Sequence, residues 1–157
     1  MEAVKGLAGA LGTAALWALA ASVGAQELTI DQTKLYVTDP AACQMLADKG
    51  VDAFGEMDFL SMSFTDGIQG MEFNCNFFDV KTKKGNNFVF VDAVCEAPGE
   101  VYPDTISISP YDETTVQLVS SYDSMMQASG NVAPDGATEN PGVTMYHRCD
   151  NLSELPR

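Results

Sequence analysis

Residues 71–95 read MEFNCNFFDVKTKKGNNFVFVDAVC. From Met71 to Val80 the chain alternates, placing Met71, Phe73, Cys75 and Phe77 on one face and Glu72, Asn74 and Asn76 on the other, the period of a half-buried strand. Lys81 to Asn87 is polar and contains Gly85, the composition of a hairpin tip. Phe88 to Cys95 is rich in Phe and Val and reads as a well-buried strand. Cys75 and Cys95 stand equally far from Gly85 in sequence. In an antiparallel pair such residues lie opposite each other with side chains on the same face, within the Cα separation of about 4.4–6.8 Å that a disulfide requires.

Outward from this hairpin, short runs of the same kind recur. Glu27 to Val37 reads as one strand or two short ones around Asp31-Gln32, and Phe59 to Thr65 as the first long strand, closed by the Asp66-Gly67 turn. Pro98-Gly99 ends the hairpin's second strand, and Thr105 to Ser109, Thr115 to Ser121 and Val143 to Cys149 follow as further strands. One helix is expected early, at about 40–48: Asp39 caps it, Pro40 opens it and Lys49-Gly50 close it. The fold class is therefore mainly β, an antiparallel meander with one short helix after the first strand. Closure into a small barrel or stacking as a sandwich would protect its edges. Ser124 to Pro141, with Gly130, Pro134, Gly136 and Pro141, reads as a long polar loop, functional or simply mobile.

The start of the chain sets the compartment. A short charged stretch, Met1 to Lys5, precedes an apolar run from Leu7 to Ala21 and the small residues Ser22-Val23-Gly24-Ala25. This is the layout of a signal peptide over 1–25, with the cut before Gln26. The alternative is a retained anchor, because Gly6 to Ala25 just reaches the roughly 20 residues of a membrane span; Lys5 would then face the cytoplasm. Residues 26–157 form one domain, exported to the periplasm or secreted, or held at the inner membrane facing the periplasm. An even count of cysteines in an exported chain implies disulfides. If Cys75 joins Cys95, then Cys43 joins Cys149, closing a long loop worth about 4–5 kcal/mol in the chain-entropy model. Cys43–Cys75 with Cys95–Cys149 is the alternative.

The net charge of −14 repels nucleic acid and anionic lipid and favours basic partners. A membrane contact enters only if the leader is retained. The single histidine, His147, shares a strand face with Met145 and Cys149. Soft thioethers suit Cu(I), but the Met spacing is not repeated, so His147 is read as packing beside a disulfide. The acidic pairs Asp112-Glu113, Glu96 with Glu100, and Asp135 with Glu139 lack the loop of a calcium site and read as solvated turns. With one His and no G-x-S-x-G, a serine triad has little to build on. No catalytic residue, metal or cofactor is assigned. Lys81, Lys83 and Lys84 read as a solvated tip that discourages edge pairing. Phe77 and Phe78 are adjacent, so one of them lies outside the core. Candidate partner-binding residues are Tyr102, Tyr111 and Tyr122 at strand ends, with Met125 and Met126 in the polar segment.

Asp39-Pro40-Ala41-Ala42-Cys43, Gly67-Ile68-Gln69-Gly70-Met71-Glu72 to Cys75, Val94-Cys95 to Gly99-Glu100, and Arg148-Cys149 together resemble a group of small exported four-cysteine bacterial β domains. That resemblance implies a fold and a compartment rather than an activity. A more distant similarity is to periplasmic lysozyme inhibitors, acidic-faced disulfide-bonded barrels that bind a basic enzyme; no inhibitory loop motif of theirs is present. The expected function is a non-enzymatic protein-interaction module of the bacterial periplasm. The alternatives are an accessory subunit of an inner-membrane complex, a lysozyme-inhibitor-like binder of a basic enzyme, and a carrier of a small apolar ligand.

Overall fold

The structure, a computed structural model, describes residues 28–130 and 142–156. The leader expectation at 1–25 and the second half of the polar segment, 131–141, lie outside the described residues. Eight strands close into an antiparallel barrel in chain order: β1 (Leu35–Val37), β2 (Ser61–Ser63), β3 (Gly67–Gln69), β4 (Asn74–Thr82), β5 (Val89–Ala97), β6 (Glu100–Pro110), β7 (Thr115–Ser120) and β8 (Val143–Cys149). The barrel, not the sandwich, is thus the way the meander removes its edges. The ring is completed by β1, which pairs with β2 on one side and with β8 on the other.

Two apolar clusters follow from strand alternation. Inside the barrel lie Tyr36, Met62, Ile68, Cys75, Val91, Cys95, Ile106, Ile108 and Tyr146. Outside it, Leu35, Val37 and Cys149 face the helix α1 (Ala42–Lys49), which buries Ala42 and Leu46 against them. A 3-10 helix, Gly50–Gly55, continues α1 and buries Ala53 in the same cluster. Tyr36 passes from one strand to the barrel's contents. Its hydroxyl donates to the Asp31 carbonyl at 3.0 Å and tethers the segment before β1.

Both disulfides form as Cys43–Cys149 and Cys75–Cys95, so the alternative pairing is excluded. Cys75 stands directly opposite Cys95 in the β4–β5 register. The Cys43–Cys149 bond spans 106 residues and pins α1 to the outer face of β8. Disulfides of this kind belong to oxidising, extracytoplasmic compartments. Among the described residues no helix is long and apolar enough to cross a membrane.

Several boundaries differ from expectation, each for a local reason. The helix begins at Ala42, not at residue 40, because Asp39 spends its carboxylate on the Ala41 amide and its carbonyl on the Ala42 amide in a turn. The long strand expected over 59–65 shortens to β2, since the Ser63 hydroxyl accepts from the Asp66 amide and closes a turn early. Met71 leaves the strand: Gly70 donates to the Phe73 carbonyl at 2.7 Å, so Met71 and Glu72 form the tip of a tight β3–β4 hairpin, with Met71 71% exposed. β5 is buried on one face only; Phe88 and Phe90 are half exposed while Val89, Val91 and Ala93 face the core. The strand expected at 105–109 starts at Glu100, directly after the Pro98-Gly99 turn. The polar segment begins as a helix, α2 (Ser121–Ala128), because the Ser120 hydroxyl accepts from the Asp123 amide and caps it. The expected loop from 124 is therefore helical in its first five residues.

Gly67 opens β3 at φ +81°, and a Cβ there would fall 1.9 Å from the Cys75 carbonyl oxygen. Gly85 has a similar φ of +83° with nothing within 4 Å. Gly85→Ala is expected to lose only the backbone term, about 1 kcal/mol, whereas Gly67→Ala adds a clash with β4 and should lose about 3 kcal/mol or more. Urea unfolding of the two variants checks this; equal midpoints would refute it.

Candidate functional site

Among the described residues no strand lies on the far side of the first half of β6. β7 pairs only with Ile106 to Pro110, and α2 packs along the remainder. The link between α2 and β6 is Asp104, a buried carboxylate in the inward register of β6, opposite Ala93. Its Oδ2 accepts from the Ser120 hydroxyl at 2.6 Å and its Oδ1 from the Tyr122 amide at 2.9 Å. One carboxylate thus satisfies the cap of α2 and one of the amides that a helix N-terminus leaves free.

On this anchor Tyr122 stacks on Tyr102, ring centroids 3.7 Å apart, and its hydroxyl donates to Glu100 at 3.1 Å. Burial raises the Tyr102 phenol above its ordinary range, and the carboxylates of Asp123, Asp104 and Glu100 push the same way. Loss of hydration, then the bond to Glu100, raises Tyr122. Both rings stay neutral at physiological pH.

Between the same strands and helix a groove of about 400 Å³ opens, lined by Phe78, Asp92, Ala93, Pro103, Asp104, Thr105, Ser121, Tyr122 and Met125. Phe78 is placed by a β-bulge: Phe77 pairs with Ala93 and Asp79 with Asp92, leaving Phe78 as the extra residue. Phe77 packs on the core and Phe78 is 68% exposed, as expected for adjacent residues of a strand. The Lys81 ammonium pairs with Asp92 and lies 3.1 Å from Asp79; those two carboxylates hold it above its usual range.

Of the residues singled out from sequence, Tyr102, Tyr122 and Met125 come together here, Met125 exposed and Met126 half-buried. Tyr111 does not: it follows the opposite end of β6, exposed in the turn to β7. Phe78, Asp92, Pro103, Thr105 and Asp104 escaped the sequence reading as a group, and only the Phe77-Phe78 pair carried a signal. His147 is half-buried with its Nδ1 3.3 Å from the Thr115 hydroxyl. Among the described residues no three His, Cys, Asp or Glu side chains converge as a metal would require.

Two other grooves are present. One of about 510 Å³ lies between Leu28, the 85–88 tip and Ser109-Pro110. One of about 350 Å³ lies between the Gly70–Asn74 hairpin and Glu96–Pro98. Neither joins a helix to the barrel wall. Set against family models, curated proteins and solved structures, the chain matches none.

If Asp104 anchors α2, Asp104→Ala should speed hydrogen exchange across 121–128 by at least tenfold, the equivalent of about 1.4 kcal/mol, while β5 amides stay protected. Uniform acceleration would instead mean global loss. Asp123 adds a pH dependence. Loss of hydration, and after it the nearby Asp104 charge, raises its carboxyl above the ordinary value, although the Ser120 bond opposes this. A group that binds its proton more tightly when folded stabilises the fold below its unfolded pKa, and that contribution is lost as pH rises through the folded pKa. Protection of α2 should therefore fall as pH rises from the ordinary carboxylate value to that of Asp123, and Asp123→Asn should remove this portion of the pH dependence.

Proposed function

We propose that the chain is an exported, non-enzymatic protein-interaction module of the bacterial periplasm, and that the groove between α2 and the outer face of β4–β6 is its contact surface. The observation that carries this is apolar surface left in water where nothing in the fold needs it. Phe78 and Met125, 68% and 56% exposed, line one groove. Phe90 and Val94, on the outward register of β5, extend the same face at 51% and 36% exposure. A stable monomer gains nothing from solvating such side chains, and grouped exposure of this kind marks interaction sites. The surface is also firm: the strands beneath it are tied by the Cys75–Cys95 bond and the helix beside it by Asp104. Little ordering would therefore be required on binding.

The carrier alternative is less well supported. A barrel of eight strands either fills with side chains or holds one small ligand, and this one contains Tyr36, Met62, Ile106, Ile108 and Tyr146, all fully buried. The compartment is supported by the two disulfides together with the signal-peptide pattern over 1–25.

Photo-crosslinking in cells checks the contact surface. A benzophenone side chain at position 78 or 125 should give a discrete adduct that excess unlabelled protein competes away, and one at position 111, at the far end of β6, should not. The absence of a competed adduct at 78 and 125, or equal labelling at 111, would refute the assignment.

A further inference from the structure

We infer that the partner presents a lysine or arginine beside an apolar side chain, and that Lys81 is the resident cation it displaces; this rests on the interaction reading above. The bulge does two things at once. It leaves Phe78 facing outward, and it moves Asp79 beside it, into register opposite Asp92. Like charges directly opposed across a strand pair repel, so the two carboxylates require a cation between them. Lys81 supplies it, paired with Asp92 and 3.1 Å from Asp79. The Thr105 hydroxyl stands 3.5 Å from the other Asp92 oxygen.

The result is a notch of two carboxylates and one ammonium, net negative, next to an exposed aromatic ring. That is the chemistry of a site for a long cationic side chain, whose head pairs with carboxylate while its aliphatic stem lies on an apolar surface. An arginine would suit it further, because its planar fork can bridge carboxylates and stack on Phe78. Lys81 is 55% exposed, and a solvated pair of this kind is weak, so exchange for a partner's cation is inexpensive. The rest of the molecule favours the same partner. Glu96 lies on the same outward register of β5, and the whole chain carries −14, which steers cations toward it. The groove supplies the apolar anchor and the notch supplies the choice of sign.

A displayed library of random dodecapeptides, selected on the oxidised protein, tests this. Enriched peptides should carry Lys or Arg next to an aromatic or aliphatic residue. Their affinity should fall about tenfold between 0.05 and 0.5 M NaCl. Asp79→Asn with Asp92→Asn should weaken them about tenfold, and Lys81→Met should tighten them severalfold by removing the internal competitor. Asp79→Asn alone, at an exposed carboxylate, keeps the comparison readable if the double variant folds poorly. No enrichment, enrichment of neutral or acidic peptides, or indifference to Asp79 and Lys81 would each overturn the inference. If the position-78 crosslink captures a partner whose binding ignores these variants, the interaction reading stands and this inference falls. If no crosslink is competed, the interaction reading itself falls.

Discussion

The structure depends on a seam three residues wide. Among the described residues Leu35–Val37 alone bonds both β2 and β8, and without it the barrel is an open sheet with two exposed edges. So short a strand cannot hold the ring by its own ladder. It holds because both its faces are buried: Tyr36 reaches into the barrel, while Leu35 and Val37 lie beneath α1. The Cys43–Cys149 bond then fastens α1 across the junction. The chain-entropy model assigns a loop of this length about 4.7 kcal/mol, a large share of what a small domain has in total. Closure is thus a joint property of one strand, one helix and one covalent bond.

The seam is also the reason the molecule is lopsided. β1, β2 and β3 have three residues each, whereas β4, β5 and β6 have nine, nine and eleven. The long strands project past the short ones, and β7 accompanies β6 for only half its length. The projecting edge is a hazard that α2 and the bulge manage, the helix by lying alongside β6 and the bulge by interrupting β4. The proposed contact surface lies on this projecting part, and the devices that protect it also shape it: the bulge sets Asp79 beside the outward Phe78, and α2 brings Tyr122 and Met125.

The parts of this architecture that were legible in the sequence are those with enough residues to show a period. β7 and β8 emerge almost to the residue, and the Cys75–Cys95 pairing follows from symmetry about Gly85. β2 and β3 do not, because a three-residue strand has no period to detect and is made by its neighbours. The one-sided burial of β5 was hidden by Phe88, Phe90 and Val94, apolar residues on the solvent face. The start of α2 was signalled by Ser120 and Asp123 at capping spacing, but Gly and Pro further along the segment outweighed that signal. At the site, Tyr102 and Tyr122 were found from their place at strand ends and Met125 from its place in the polar segment; the tyrosines are half-buried and the methionine exposed. Asp104 was not, since an aspartate within a strand reads as solvent-facing until its register is known.

Position in register, more than composition, separates the structural carboxylates of this acidic chain from those of the proposed contact surface. Asp104 and Asp92 are neighbours on adjoining strands with opposite orientations. Asp104 faces inward, and its charge is consumed by the Ser120 hydroxyl and the Tyr122 amide. Asp92 faces outward, and its charge is met by a lysine that solvent also reaches. A buried charge with fixed hydrogen bonds cannot be traded for a partner's without leaving donors unsatisfied. An exposed ion pair can be traded, because the incoming cation restores what Lys81 leaves. The single extra residue at Phe78 sets the outward case: with the bulge absent, Phe78 rather than Asp79 would stand opposite Asp92, and the face would keep its outward ring but lose its paired carboxylates. The bulge in β4 is therefore the structural cause of the paired carboxylates on which the proposed sign selectivity rests, and it sets them beside the ring of Phe78.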